Sequence, residues 1–423
     1  MSHKLKANQI VWRLGLLLFL FVFVFTSLGA SAPVQGDSGS TNLQVVSQYQ
    51  AAQANPTLSD TQKIKAAINA YFTLRYEGQK VLRAQDFSPL LEDNAQAWVQ
   101  KEKDKRDIEL YIATLFDLKY VSYKYTLDFD SIVINHDQAT VLLRESHKVI
   151  FESAAPEVSE LANLPHSLIL QKRGGMWVIN ADEYQDELSQ VLNQATKDDI
   201  KKQVYENYQE DLKSKNANSK TGTKKVLANI ENLPSLTPYT YVPYLAISYA
   251  DKYWNSTGPH YRRDPTGDDC ANFVAQAIYA GQGRVPPNTS GMAPVGSRNW
   301  NYDWYYLFDQ KSGPIANAGS YAWVNVTAQS NFLQGNSSRV GPYGHRVISL
   351  CYAWLGDVVQ IKSGIWFHEG MIVGIYKPPA PNCPSLGNIF IDAHTADRHN
   401  YPLSYWTYEF QIIHIDGWRK QSP

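Results

Sequence analysis

Cysteine is scarce in this chain, with Cys270, Cys351 and Cys383 the only three in 423 residues. So few exclude a disulfide-built scaffold, and the lack of any C-x-x-C spacing excludes a zinc ribbon. Neither sign of charge is in excess, since 39 Lys and Arg stand against 40 Asp and Glu. Without a basic stripe, nucleic acid is excluded as a partner. Charged residues make up 19% and hydrophobic ones 44%, a balance that excludes general disorder.

Membrane-length apolar sequence is confined to the start. Residues 14–25, "LGLLLFLFVFVF", follow Lys4, Lys6 and Arg13 and precede "TSLGASA". These are the three parts of a secretory signal over 1–32, with Ala30 or Ala32 closing the cleavage site. An uncleaved anchor over 14–32 is the alternative. Either way the remainder is expected outside the cytoplasm, secreted or at the cell surface, touching membrane only through this segment. An odd number of cysteines in an exported chain leaves at least one thiol free or paired in trans. Cys351 bridged to Cys383 would leave Cys270 over.

The length suggests two domains. Ser59 and Gln62 have capping-box spacing, and Ile64, Ala67, Ile68, Tyr71 and Phe72 follow at helical intervals. A second helix is expected through "IELYIATLFDLKY". Period-two segments come next, "SYKYTLDFDSIVIN", "QATVLLRESHKVIF" and "HSLILQKRGGMWVINADEY", with Gly174 and Gly175 turning a hairpin. Helices followed by a meander predict an α+β accessory domain over 55–196, whose pattern resembles nuclear-transport-factor-like domains. His136, His147 and His166 read as strand or turn residues there. Residues 197–240 read as a helical tail and charged linker. Residues 241–423 hold every cysteine and a dense run of Gly and Pro, so function is sought there.

In "GDDCANFVAQAIYAGQG", Phe273, Val274, Ala277 and Ile278 follow Cys270 at i+3, i+4, i+7 and i+8. Cys270 therefore lies on the packed face and in the first turn of a helix, capped by Asp268 or Asp269 and stopped at Gly281. A helix N-terminus lowers a thiol pKa, although an isolated cysteine fits an inert core residue as well. A base is offered by "FHEGMIVGIY", a strand with His368 near its start. The next strand, "GNIFIDAHTADR", places Asp392 and His394 on one face, and either could orient the imidazole.

The elements "YLAISYADKYWN", "DDCANFVAQAIYAGQG", "GDVVQI…FHEGMIVGIY" and "DAHTADRHNYPL" resemble the putative amidase domain family, exported bacterial relatives of papain-like cell-wall hydrolases. The resemblance covers nearly all of 241–423. It implies a papain-like α+β catalytic domain, a helix bearing Cys packed on an antiparallel sheet, with nucleophile Cys270, base His368 and third member His394. Asp392, Asn272 and Asp269 are possible supporting residues, with Asp269 expected as a helix cap. Trp300, Tyr302 and Trp304 are candidates for a substrate groove. No metal or other cofactor is expected. The function expected is an exported cysteine amidase or peptidase cleaving amide bonds of peptidoglycan or extracellular peptides. The alternatives are a non-catalytic cell-wall binding module and a thiol acyltransferase or crosslinking enzyme.

Overall fold

The computed structural model describes residues 34–37, 41–92, 96–217, 236–264, 267–284, 286–310, 312–376, 383–406 and 408–421. The expected signal or anchor (1–32) lies outside them, as does the middle of the expected linker (218–235).

Strand β1 (Val34–Asp37) precedes helices α1 (Asn42–Ala54), α2 (Asp60–Val81) and α3 (Gln96–Leu115). The Ser59–Gln62 capping box forms as the sequence requires, each side chain meeting the other residue's backbone N–H. Four long strands follow, β2 (Tyr120–Asn135), β3 (Gln138–Phe151), β4 (Ser159–Arg173) and β5 (Met176–Glu183). Gly174 and Gly175 take φ of 54° and 83°, the primed turn that closes β4 onto β5. Helices α4 (Glu187–Leu192) and α5 (Lys197–Ala217) lead on, and α5 packs against α3. The expected helical tail is therefore docked, with Lys197 and Lys201 paired to Asp104 and Asp107.

Strand β6 (Leu236–Tyr239) opens the second half. Helices α6 (Pro243–Tyr253), α7 (Cys270–Gly281), α8 (Tyr321–Val324) and α9 (Val326–Gly335) come next. Strands β7 (Gly341–Arg346), β8 (Val358–Ser363), β9 (Ile365–Ile375), β10 (Ile389–Ala393), β11 (Asp397–Pro402) and β12 (Glu409–Gln421) complete it. The architecture is α+β, mixed helices on antiparallel sheet.

The halves share one twelve-stranded sheet, in the order β1-β2-β3-β4-β11-β10-β9-β8-β12-β6, with β5 on β4 and β7 on β12. The join is β4 to β11, in register Asp397↔Ala162, Arg398↔Leu161 and His399↔Glu160. Pro33–Pro423 forms one compact unit. Two apolar cores flank the sheet in the second half. One holds Phe273, Val274, Ile278, Trp304, Trp323, Val358, Met371 and Trp418 beneath the helices. The other runs from the first half to Val359, Ile361, Ile372, Ile391 and Trp406 on the opposite face. Among the described residues no helix is long and apolar enough to cross a membrane.

Candidate active site

Helix α7 forms where the sequence places it, because its small and apolar residues fit between α6 and the sheet. Every residue from Cys270 to Tyr279 is buried. It also ends where expected. Gly281 is the last helical residue, and Gly283, at φ 75°, supplies the left-handed turn. Gly281 is needed for another reason, since a Cβ there would stand 2.2 Å from the Tyr241 ring.

Asp269 occupies the N-cap position, but its side chain does not cap. Oδ1 accepts instead from the Asp264 N–H at 2.8 Å and from Asn272 Nδ2 at 2.8 Å, while Oδ2 lies 2.6 Å from His394 Nδ1. Asn272 is spent on structure as well. It donates to the Arg262 carbonyl and accepts from Trp323 Nε1 at 3.0 Å.

Cys270 is free and buried, packed with Ala271, Val326 and the rim of Trp366. The helix N-terminus does not lower its pKa. Burial pushes the thiol well above its ordinary value and the nearby Glu369 charge adds to this, outweighing the backbone N–H groups of Glu369 and Ala271 that donate to the sulfur. Cys351 and Cys383 form a disulfide.

Strand β9 decides what the thiol meets. His368 pairs with Ile361 and Glu369 with Gln360, so these neighbours point to opposite faces of the sheet. Glu369 takes the helical face. Its Oε2 accepts from Gln360 Nε2 at 2.5 Å, Gln360 also donates to the Val326 carbonyl, and Gln411 donates to Gln360 Oε1 at 2.7 Å. Glu369 Oε1 is buried with no hydrogen-bond partner among the described residues. Burial raises this carboxyl to about 8 against the pull of Gln360.

His368 takes the other face. Its ring meets Trp406 edge-on at 4.7 Å, and Nε2 lies 3.2 Å from Glu187 Oε1. Glu187 also holds Arg398 through two bonds of 3.0 and 2.7 Å. Burial works against the ionised Glu187, but Arg398 and His368 hold its carboxyl well below the usual range. The expected Cys270–His368 contact is therefore not made, because the sheet lies between them.

His394 is fully buried on the helical side, just past the end of β10, stacked on Phe273 at 4.1 Å. Its Nδ1 faces Asp269 and its Nε2 lies 2.8 Å from the Tyr253 carbonyl, so neither nitrogen is turned to His368. Asp392 shares the helical face, opposite Met371, as alternation requires. It is engaged with His399 Nδ1 at 3.1 Å and the Asn400 N–H at 2.7 Å. Asp251, on α6, is an exposed residue whose carboxyl is partly withdrawn from water, and this together with the facing Asp392 pushes it up to about 6.

The expected aromatic groove is corrected at Trp304. This ring is fully buried beside Trp323, Phe332 and Trp418 and belongs to the core. Trp300 and Tyr302 are at the surface, Trp300 stacked on Tyr321 and Tyr302 beneath Arg339.

Glu369, Gln360 and Glu187 had no place among the sequence candidates. Period-two alternation signals that His368 and Glu369 oppose each other. It does not say which of them faces α7, because both sides of β9 are buried.

Residues 240–415 match the family model described as "Putative amidase domain". Over 173 residues the chain is 26% identical to "Uncharacterized protein YhbB" of Bacillus subtilis (strain 168). That match covers 39% of this chain and 43% of the relative, so the shared part is less than half the length of either. No solved structure matches.

Proposed function

We propose that the amidase domain at 240–415 is a thiol hydrolase acting on amide bonds, with Cys270 as nucleophile and Glu369 as the group that takes and returns its proton. The observation that carries this reading is a buried thiol at the start of α7, packed on Val326 and accepting from the Glu369 N–H, with the Glu369 carboxyl on the same face of the sheet and tied to Val326 through Gln360. A thiol beside a carboxylate can pass its proton without increasing the number of buried charges. A thiol giving its proton to a neutral imidazole creates two.

In the proposed sequence the Cys270 proton moves to Glu369 and the sulfur forms a bond to the amide carbon. N–H groups of the first turn of α7 receive the oxyanion. Glu369 then protonates the nitrogen as the C–N bond breaks, leaving a thioester and a free amine. Water gives a proton to Glu369 and its oxygen attacks the thioester carbon. The released sulfur recovers that proton, and the acid departs. His394 and Asp269 act as positioning residues, joining the start of α7 to the β10–β11 turn.

The substrates this reading favours are peptidoglycan or extracellular peptides, with Trp300 and Tyr302 as surface rings for them. Export is supported by the 1–32 segment and by the Cys351–Cys383 disulfide, since such bonds persist in oxidising compartments. The papain-like relation of the second half and the nuclear-transport-factor-like relation of the first belong to the same reading.

Burial of the thiol beneath Val326 and Trp366 favours a second reading, a wall-binding module without catalysis. One experiment separates them. Purified full-length chain and the variants Cys270→Ala, Glu369→Gln and His368→Asn are incubated with peptidoglycan fragments, and products are identified by mass. The expected outcome is release by wild type and His368→Asn, with losses of at least about a hundredfold in Cys270→Ala and Glu369→Gln. Activity lost in His368→Asn and kept in Glu369→Gln would return the base to His368. Binding without products in any sample would favour the second reading.

A further inference from the structure

Asp251, Asp392 and His399 come from three separate elements, α6, β10 and β11. One donor atom of each lies within 4.8 Å of the other two. Asp392 is fully buried. Its Oδ1 accepts from the Asn400 N–H at 2.7 Å and lies 3.1 Å from His399 Nδ1. Its Oδ2 is also buried and has no donor among the described residues. The group set against Asp392 from α6 is the Asp251 carboxyl, within hydrogen-bonding reach. Two carboxylates thus converge with no lysine or arginine among the three groups, and an ionised carboxylate can only accept. The only positive charge the three groups themselves can offer is an imidazolium at His399, which faces Asp392 Oδ1 and leaves Oδ2 with vacant acceptor directions.

The imidazole is held ready for a positive centre. Trp254 stacks on the His399 ring at 5.4 Å and 19°, and Asn400 adopts φ 54°, with its N–H directed at Asp392 Oδ1. Asp251 is exposed while Asp392 is buried, so the cluster is anchored on one side and open to water on the other. Open positions suit an ion that keeps solvent ligands.

We propose that Asp251, Asp392 and His399 bind one divalent cation of the first transition row, such as Zn2+ or Mn2+. Two carboxylates supply the charge, and the imidazole nitrogen discriminates against Ca2+ and Mg2+, which favour oxygen. The ion would clip α6 to β10 and β11, next to the turn that carries His394. It takes no part in the amide chemistry proposed above, so either reading can fail without the other.

The test uses full-length chain stripped with chelator and dialysed, then titrated calorimetrically with Zn2+, Mn2+ and Ca2+. Wild type is expected to take one Zn2+ or Mn2+ per chain with at least tenfold preference over Ca2+. Asp251→Asn, at an exposed position, is expected to weaken that binding at least tenfold while leaving the metal-free melting curve and circular dichroism as in wild type. His399→Gln should show the same loss, with quenching of Trp254 fluorescence by Mn2+ abolished. The absence of stoichiometric binding by wild type would overturn the proposal, the carboxyls then sharing a proton. An unchanged isotherm in Asp251→Asn would also overturn it and move the ion elsewhere, for instance to His345 and His414, whose rings lie 5.5 Å apart.

Discussion

As the proposed base, Glu369 would couple catalysis to stability through one buried carboxyl. Its carboxyl ionises near 8 in the fold and near 4.5 when unfolded. The unfolded chain therefore loses this proton first, and the group costs stability as pH rises from about 4.5 to about 8, at up to about 1.4 kcal/mol per pH unit. Glu369→Gln is expected to be more stable than wild type by about 2 kcal/mol or more at pH 8, and no more stable at pH 4, in denaturant unfolding. As a base the same group must be ionised. We expect kcat/KM to rise about tenfold per pH unit below pH 8 and to level above it. A pH profile that is flat from 6 to 9 would remove Glu369 from the proton path.

At the scale of elements, the alternation of β9 and the aromatic segment before α8 decide which residues are available to a substrate. In "NWNYDWYYLF" three rings of similar chemistry divide between core and surface. Trp304 is fully buried, whereas Trp300 and Tyr302 are exposed. Trp304→Ala is expected to destabilise by about 3–5 kcal/mol, the range for emptying a large core site. Trp300→Ala should cost under about 1 kcal/mol in stability. It should raise KM for peptidoglycan fragments if the surface rings carry substrate. Thermal melts and steady-state kinetics of the two variants distinguish these roles.

Across the whole molecule, charge is buried both at the join of the two halves, where Glu187 holds Arg398, and inside the first half. In the first half His166 sits with Nδ1 2.8 Å from Asp182 and Nε2 3.1 Å from Glu145. Burial opposes charging the ring, but Asp182 and Glu145 prevail and raise it to about 9. Its contribution is fully present below about 6.5 and is lost as pH rises through about 9. The stability of wild type should therefore fall more steeply between pH 6.5 and 9 than that of His166→Gln, measured by urea unfolding across that range. Equal slopes would show that the ring is not charged in the fold.

Much of this architecture was legible in the chain itself. The capping box at Ser59, the Gly174–Gly175 hairpin, the helix beginning at Cys270 and the strands bearing His368 and Asp392 are local consequences of spacing and turn chemistry. Other parts were hidden from it. The pairing of β4 with β11 joins residues more than two hundred positions apart, and no local pattern specifies it. Nor does a strand buried on both faces record which face meets which helix. For that reason the sequence determined that a thiol, an imidazole and several carboxylates would lie on α7, β9 and β10. Only the tertiary structure decided that Glu369 faces Cys270 while His368 faces Glu187, because the side on which helices pack depends on the whole sheet.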